Sequence, residues 1–160
     1  MIFSEKHQLI RKLVRDFAEK EFTQELLDEL EETGEFNWEI HRKMAAAGFM
    51  GTKIPREYGG QGSDYLSYAI MIEELARISP VLSIYANTSN SLGGGPLLFA
   101  GTEEQLKKYL IPAATGEKIL VFALTEPGAG SDAGGVTTTA IPDGDYFVLN
   151  GRKTFISGAP

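Results

Sequence analysis

The run Ala123-Leu124-Thr125-Glu126-Pro127-Gly128-Ala129-Gly130-Ser131-Asp132 concentrates the chemistry of this chain. Upstream of it, Lys118 to Leu124 is almost unbroken in apolar character and is expected to be a buried strand. Pro127, Gly128 and Gly130 free the backbone that follows to turn sharply. Exposed N–H groups in such a turn can form a small anion nest, and Ser131 adds a hydroxyl. A loop of this kind can hold a ring and a phosphate together.

Few other chemistries are open to the chain. It has no Cys, and only His7 and His41 offer imidazole, so a thiolate or multi-histidine metal site is not expected. The formal net charge of -7 and a pI near 4.9 argue against a nucleic-acid surface, which needs clustered Lys and Arg. No stretch approaches the length of a membrane span. Residues 1–7 lead directly into an amphipathic pattern without a signal-peptide h-region, and a cytoplasmic location is the expectation.

The elements that must position the loop are mostly helical. Leu9, Ile10, Leu13, Val14 and Phe17 recur at helical spacing after a Ser4 cap, predicting one helix continuing through Phe22 to Leu30 and ending at Thr33-Gly34. An Asn37 cap opens a second helix running to Gly48, and Phe49 to Ile54 reads as extended. After a glycine-rich loop, Asp64 caps a helix that ends before Pro80. Val81 to Leu92 reads as a further helix, broken by Gly93-Gly94-Gly95-Pro96, and Thr102 with Gln105 forms a capping box for the next. Trp38 and Phe99 are expected in the core.

From Lys118 the pattern changes to β. Val136–Ile141 and Tyr146–Leu149 flank Pro142-Asp143-Gly144-Asp145, a hairpin signal, and Asn150-Gly151 is a second that places Lys153–Ser157 on another strand. The fold class is therefore α+β: an all-α bundle over 1–117, then the first strands of an antiparallel β domain over 118–160. So few strands leave an unpaired edge and an open apolar face, which reads as a truncated domain or a missing partner.

Taken as a whole, residues 123–132 resemble the signature of the acyl-CoA dehydrogenase flavoproteins. Asn150-Gly151-Arg152-Lys153-Thr154-Phe155-Ile156-Ser157 is similar to that family's next strand pair, and Ile54–Gly60 and Gly101–Leu110 extend the likeness upstream. The resemblance implies FAD, an acyl-CoA thioester, an electron-transfer flavoprotein as partner, and a homotetramer. The reaction it implies removes a proton beside the thioester and a hydride from the next carbon, giving a trans-2-enoyl-CoA. It also implies a catalytic Glu in a C-terminal helical part that this chain does not contain, so no catalytic residue is assigned here. Glu126 reads as a structural acceptor within its turn, and Glu73 and Glu74 as solvated or paired helix positions.

By position in the resembled motifs, Phe122, Leu124, Thr125, Gly130 and Ser131 would contact the flavin, with Ser131 also near the CoA portion of the substrate. Phe155, Ile156 and Ser157 would complete that wall, Phe155 standing where an indole is frequent. Leu92, Gly94 and Gly95 lie in a segment resembling the floor of the acyl pocket. Local readings stay open beside these: Thr125 closing a turn, Ser131 capping a loop, and the glycines ending a helix before Pro96. At the level of the whole chain, an acyl-CoA oxidase, a short acyl-CoA- or flavin-binding partner subunit and a plain helical scaffold are the alternatives.

Overall fold

The computed structural model describes residues 3–158. It divides into two compact units, 1–120 and 121–160.

The first unit is helical. Helix α1 (Glu5–Glu21) begins where the Ser4 side chain accepts from the His7 N–H, and α2 (Gln24–Thr33) where Thr23 accepts from Leu26. The continuous first helix expected from periodicity is thus two. Phe22 leaves helical geometry, and Thr23 supplies a fresh cap that satisfies an otherwise orphaned amide. Gly34, at φ +66°, ends α2. Helix α3 (Trp38–Ala46) starts on Asn37, whose Oδ1 accepts from both Glu39 and Ile40, and left-handed Gly48 follows its end.

Residues 49–54 are not extended as expected. Phe49–Gly51 forms a 3-10 turn whose Gly51 carbonyl accepts from Ile54 and Gln61, folding this segment against the glycine-rich loop. Helix α4 (Tyr65–Ile78) is capped by Asp64 and α5 (Pro80–Asn87) by Ser79, with Pro80 in the first turn, where its missing N–H costs nothing.

The expected break at Gly93–Pro96 is absent. The chain instead widens into a π turn, Thr88–Leu92, closed by Gly93 N–H donating to Thr88 O at 2.7 Å, and continues as α6 (Gly94–Ala100). Pro96 is tolerated because it falls in the first turn of α6. The same device recurs downstream. The Thr102–Gln105 capping box opens α7 (Glu103–Gln105), a second π turn spans Leu106–Leu110, and α8 (Ile111–Ala114) carries Pro112 in its first turn. Each π turn precedes a proline, whose ring and missing donor exclude the regular bond to the fourth residue back.

The main core joins Val14, Ala18 and Phe22 of the α1 side to Ile40 and Met44 of α3, Met71 and Leu75 of α4, and Leu82 and Ala86 of α5. Removing each large side chain from water contributes about 1.5–3 kcal/mol. A smaller cluster of Ile54, Leu106, Leu110 and Ala114 backs the second π turn. Trp38 and Phe99 are not in either: they are 47% and 94% exposed, each lying on the outward side of its helix.

The second unit carries one hairpin, β1 (Thr139–Asp143) and β2 (Tyr146–Asn150), antiparallel with Ile141 opposite Val148. Its loop is Gly144-Asp145, with Gly144 at φ +59°, as a two-residue hairpin turn of this hand requires. The expected strands over 118–124 and 153–157 do not form ladders. Their bonding is local or reaches a loop: Lys118 N–H goes to Pro112 O, and Thr154 N–H to Thr125 O at 3.0 Å. Val121, Phe122 and Leu124 are 38–45% exposed rather than buried.

Candidate functional site

The loop at 123–132 is built on a tight turn. Glu126 N–H donates to Ala129 O and Ala129 N–H returns to Glu126 O, at 3.0 and 3.1 Å, closing a small bridge around Pro127 and Gly128. A Cβ on Gly128 or Gly130 would meet nothing within 4 Å, so the turn leaves open space beside it. Gly130 and Ser131 are exposed.

Backbone groups along the loop are unequally engaged. Leu124 N–H donates to Phe122 O at 3.2 Å, and Leu124 O accepts from Lys153 Nζ at 3.0 Å. Thr125 O accepts from Thr154 N–H. The Thr125 N–H and hydroxyl, by contrast, have no protein partner among the described residues. They are among the loop's unclaimed donors, half-buried and next to an occupied carbonyl, an arrangement suited to an acceptor on a flat ring.

Glu126 holds this arrangement in place. Its side chain is 4% exposed, and its two oxygens receive four donors. Thr137 N–H and Oγ1 donate to Oε2, both at 2.8 Å, and Thr138 N–H and Lys153 Nζ donate to Oε1, at 3.0 and 2.8 Å. Lys153, then the threonine donors, keeps this carboxyl well below the usual carboxylate range. It is a structural acceptor, as its sequence context indicated, but its reach extends beyond its own turn to residues 11, 12 and 27 positions away. A carboxylate with its lone-pair sites filled and its proton affinity lowered is unsuited to general-base work.

The Thr154–Thr125 bond brings the second motif beside the first. Phe155 follows at φ +55°, the one positive value at a non-glycine among the described residues, with its ring 92% exposed. A bulky residue in that region costs energy, and such strain clusters at ligand sites. Ile156 is half-buried and Ser157 exposed. The unclaimed Thr125 donors, the open glycines and a presented aromatic face are compatible in kind with a flavin ring, which the expected contacts Thr125, Gly130, Ser131, Phe155 and Ser157 would hold.

Leu92, Gly94 and Gly95 belong to the helical unit, on the first π turn and the start of α6. Leu92 is 39% exposed. The structure separates the two glycines: a Cβ on Gly94 would lie 2.0 Å from Ser89 O, whereas one on Gly95 would meet nothing within 4 Å. The turn itself is anchored by Asn90, a residue that spacing alone did not single out. Fully buried, it donates to Phe49 O and Ala86 O at 2.6 and 2.8 Å and accepts from Lys53 N–H at 3.0 Å. A cleft of about 470 Å³ in the same unit is lined by Trp38, Arg42, Thr115 and Gly116 among others, and none of the expected contact residues borders it.

Two family models match the chain: acyl-CoA dehydrogenase, N-terminal domain, over residues 4–117, and acyl-CoA dehydrogenase, middle domain, over residues 121–160. Among curated proteins, the caffeyl-CoA reductase-Etf complex subunit CarC of Acetobacterium woodii is 64% identical and the 3-(aryl)acrylate reductase of Clostridium sporogenes 58% identical. Both alignments cover 100% of this chain and 42% of the relative, so the chain spans about two fifths of their length. Among solved structures, the electron transferring flavoprotein study of Acidaminococcus fermentans gives a TM-score of 0.90 at 40% identity, over 98% of this chain and 41% of that one. An acyl-CoA dehydrogenase from Bacillus anthracis complexed with FAD gives 0.88 at 39% identity, over 96% and 26%. The helical unit, the β hairpin that follows it and the two matched models together place this chain in the acyl-CoA dehydrogenase family, whose members are FAD-binding oxidoreductases acting on CH–CH bonds.

Proposed function

We propose that this chain supplies the N-terminal helical domain and the first part of the β domain of a flavoenzyme that interconverts an acyl-CoA thioester and its trans-2-enoyl-CoA. The observation that carries the reading is the pairing of Thr154 N–H with Thr125 O, which sets unclaimed donors at Thr125 beside the Phe155–Ser157 segment. FAD accepts or delivers the hydride in this chemistry, and the protein's task is placement. Thr125 would bind the ring edge, Phe155 its face, and Ser131 a phosphate; Leu92 and Gly95 would border the acyl group. The proton-abstracting carboxylate belongs to a part of the enzyme outside this chain.

The reductive direction on an aryl-substituted enoyl-CoA is the finer reading. Its support is the identity of 64% and 58% to two relatives named as reductases of caffeyl-CoA and 3-arylacrylates, against 43% for a short-chain acyl-CoA dehydrogenase of Clostridium acetobutylicum. An electron-transfer flavoprotein as redox partner has the same kind of support, since one of those relatives is a subunit of an Etf complex. Homotetrameric assembly and a cytoplasmic location rest on the resemblance and on composition.

The test is anaerobic mixing of the complete flavin-loaded enzyme that contains this chain with saturated and unsaturated thioesters. Bleaching of the visible flavin band by an acyl-CoA, and reoxidation of the reduced flavin by an arylacryloyl-CoA faster than by crotonyl-CoA, is the expected result. Absence of bound flavin, or indifference to every thioester, rules the proposal out.

A further inference from the structure

Glu126 sits where three stretches of the β unit meet. Its carboxylate joins the loop at 124–129, the approach to β1 at Thr137-Thr138, and Lys153 beyond β2. Lys153 Nζ simultaneously donates to Leu124 O, and its neighbour Thr154 donates to Thr125 O. An expected ring contact adjoins each end of this knot: Thr125 directly precedes Glu126, and Phe155 directly follows Thr154. A substitution at the knot therefore changes the distance between two contact segments without removing any contact atom.

We infer that Glu126 is a positioning residue, its four-donor carboxylate clasping Leu124-Thr125 to Lys153-Thr154 so that the two flavin-contact segments are held at one fixed spacing. The inference rests on the flavin reading above. Geometry favours this role over simple turn closure, because the turn at 126–129 is already closed by its own two backbone bonds. All four side-chain bonds go elsewhere. The Lys153 ammonium is the partner that ties the second segment, and it is itself 27% exposed, so removing it leaves no buried charge behind except that of Glu126.

The experiment compares wild type, Glu126→Gln and Lys153→Met, each made in the complete flavin-loaded enzyme that contains this chain. The Gln variant keeps the volume but offers one oxygen in place of two, so at least one pair of donors is released. Each variant is expected to bind FAD about tenfold or more weakly, the size of losing one hydrogen bond to a charged group. The visible circular dichroism of the remaining bound flavin should shift, while the amides of Thr137, Thr138 and Thr154 exchange faster and the far-UV helical signal stays as in wild type. Unchanged flavin affinity and dichroism in both variants, with or without faster exchange or a lowered melting temperature, overturns the positioning role. If Glu126→Gln does not fold, Lys153→Met decides by the same readouts. A wild type that takes up no FAD instead refutes the flavin reading, an outcome separated from the others because it appears before any substitution is made.

Discussion

Lys153 Nζ lies 2.8 Å from Glu126 Oε1 and 3.0 Å from Leu124 O, so one ammonium fastens a residue of the second motif to two residues of the first. The pair is local in space and distant in sequence. Its consequences can be tested through acid.

The Glu126 carboxyl is held well below the ordinary carboxylate range, first by Lys153 and then by Thr138 and Thr137. A depressed folded pKa stabilises the native state at every pH above the unfolded value of about 4.3, and that contribution is lost as pH falls through the folded value. The β unit should therefore keep slow exchange at the Thr138 and Thr154 amides at pH 4, where ordinary carboxylates are half protonated. In Glu126→Gln the stability of this unit should vary less with pH below about 4.5 than in wild type. Parallel acid titrations of the two proteins by amide resonances check this, and superimposable profiles would refute it.

His41 gives the opposite end of the pH scale. Its ring is 1% exposed, Nε2 lies 3.0 Å from Gly116 O, and Nδ1 is buried without a partner. Because a carbonyl only accepts, Nε2 carries the proton and Nδ1 is the bare acceptor. Phe36, Trp38 and Tyr85 surround the ring, at centroid distances of 5.3, 5.5 and 6.2 Å. Burial first, and the neighbouring Arg42 charge, push the imidazole below its usual value, against the Gly116 bond. The unfolded chain thus takes up a proton near pH 6.5 that the folded one refuses, so stability is full above that pH and declines as pH drops below it. The urea midpoint of wild type should fall between pH 7.5 and 5.5, and His41→Gln, which can still donate to Gly116 O, should lose most of that slope. An undiminished slope in the variant would assign the effect to other groups.

Glu74 is the charged centre of the α1–α4 contact. It is 2% exposed, receives Arg15 Nε and a terminal Arg15 nitrogen at 2.9 Å each, and lies 3.3 and 3.4 Å from the Nε atoms of Arg11 and Arg77. Arg15, by hydrogen bond and charge, lowers its pKa most. Replacing Glu74 by Ala strands guanidinium groups around an apolar void. Complete burial would make this cost about 3–5 kcal/mol, and partial exposure of the three arginines reduces it to about 2 kcal/mol. Glu73, 66% exposed on its side chain and touching Arg11 alone at 3.2 Å, should lose under about 0.5 kcal/mol on the same change. Chemical denaturation of the two variants distinguishes them; equal losses would mean that the buried cluster is not what joins the helices.

The pattern of what could be read in advance follows from sequence distance. Ser4, Asn37, Asp64 and Thr102 were legible as caps because a cap and its amide are three residues apart or fewer. The helix break at Phe22-Thr23 was missed, since Phe22 is itself buried and continues the apolar stripe through the interruption. Gly93–Pro96 looked like a stop, because glycine and proline weaken helices locally, yet Gly93 closes a π turn and Pro96 falls in the first turn of α6, where its missing donor is tolerated. At the site, the type of role played by Glu126 was legible from its place in a turn. Its partners were not, because Thr137, Thr138 and Lys153 are brought to it by the hairpin rather than by spacing. The left-handed Phe155 had no sequence signal at all, since an aromatic residue gives no hint of positive φ.

That same π turn makes Gly94 and Gly95 unequal, though the sequence presents them as equivalents. A methyl on Gly94 would lie 2.0 Å from the carbonyl oxygen of Ser89, a backbone atom within a buried turn, so Gly94→Ala must displace the turn and should cost about 2 kcal/mol or more. Gly95 has open space around its Cβ position and helical backbone, so Gly95→Ala should be neutral or stabilising by up to about 1 kcal/mol. Only Gly95 can therefore probe the acyl pocket cleanly. If it borders the acyl group, Gly95→Leu should fold normally, keep its KM for a short thioester and raise KM several-fold for a long or aryl-substituted one, with little change in kcat for the short substrate. Steady-state kinetics over a series of thioesters measures this; equal effects on all chain lengths would remove Gly95 from the pocket and leave it as an ordinary helix position.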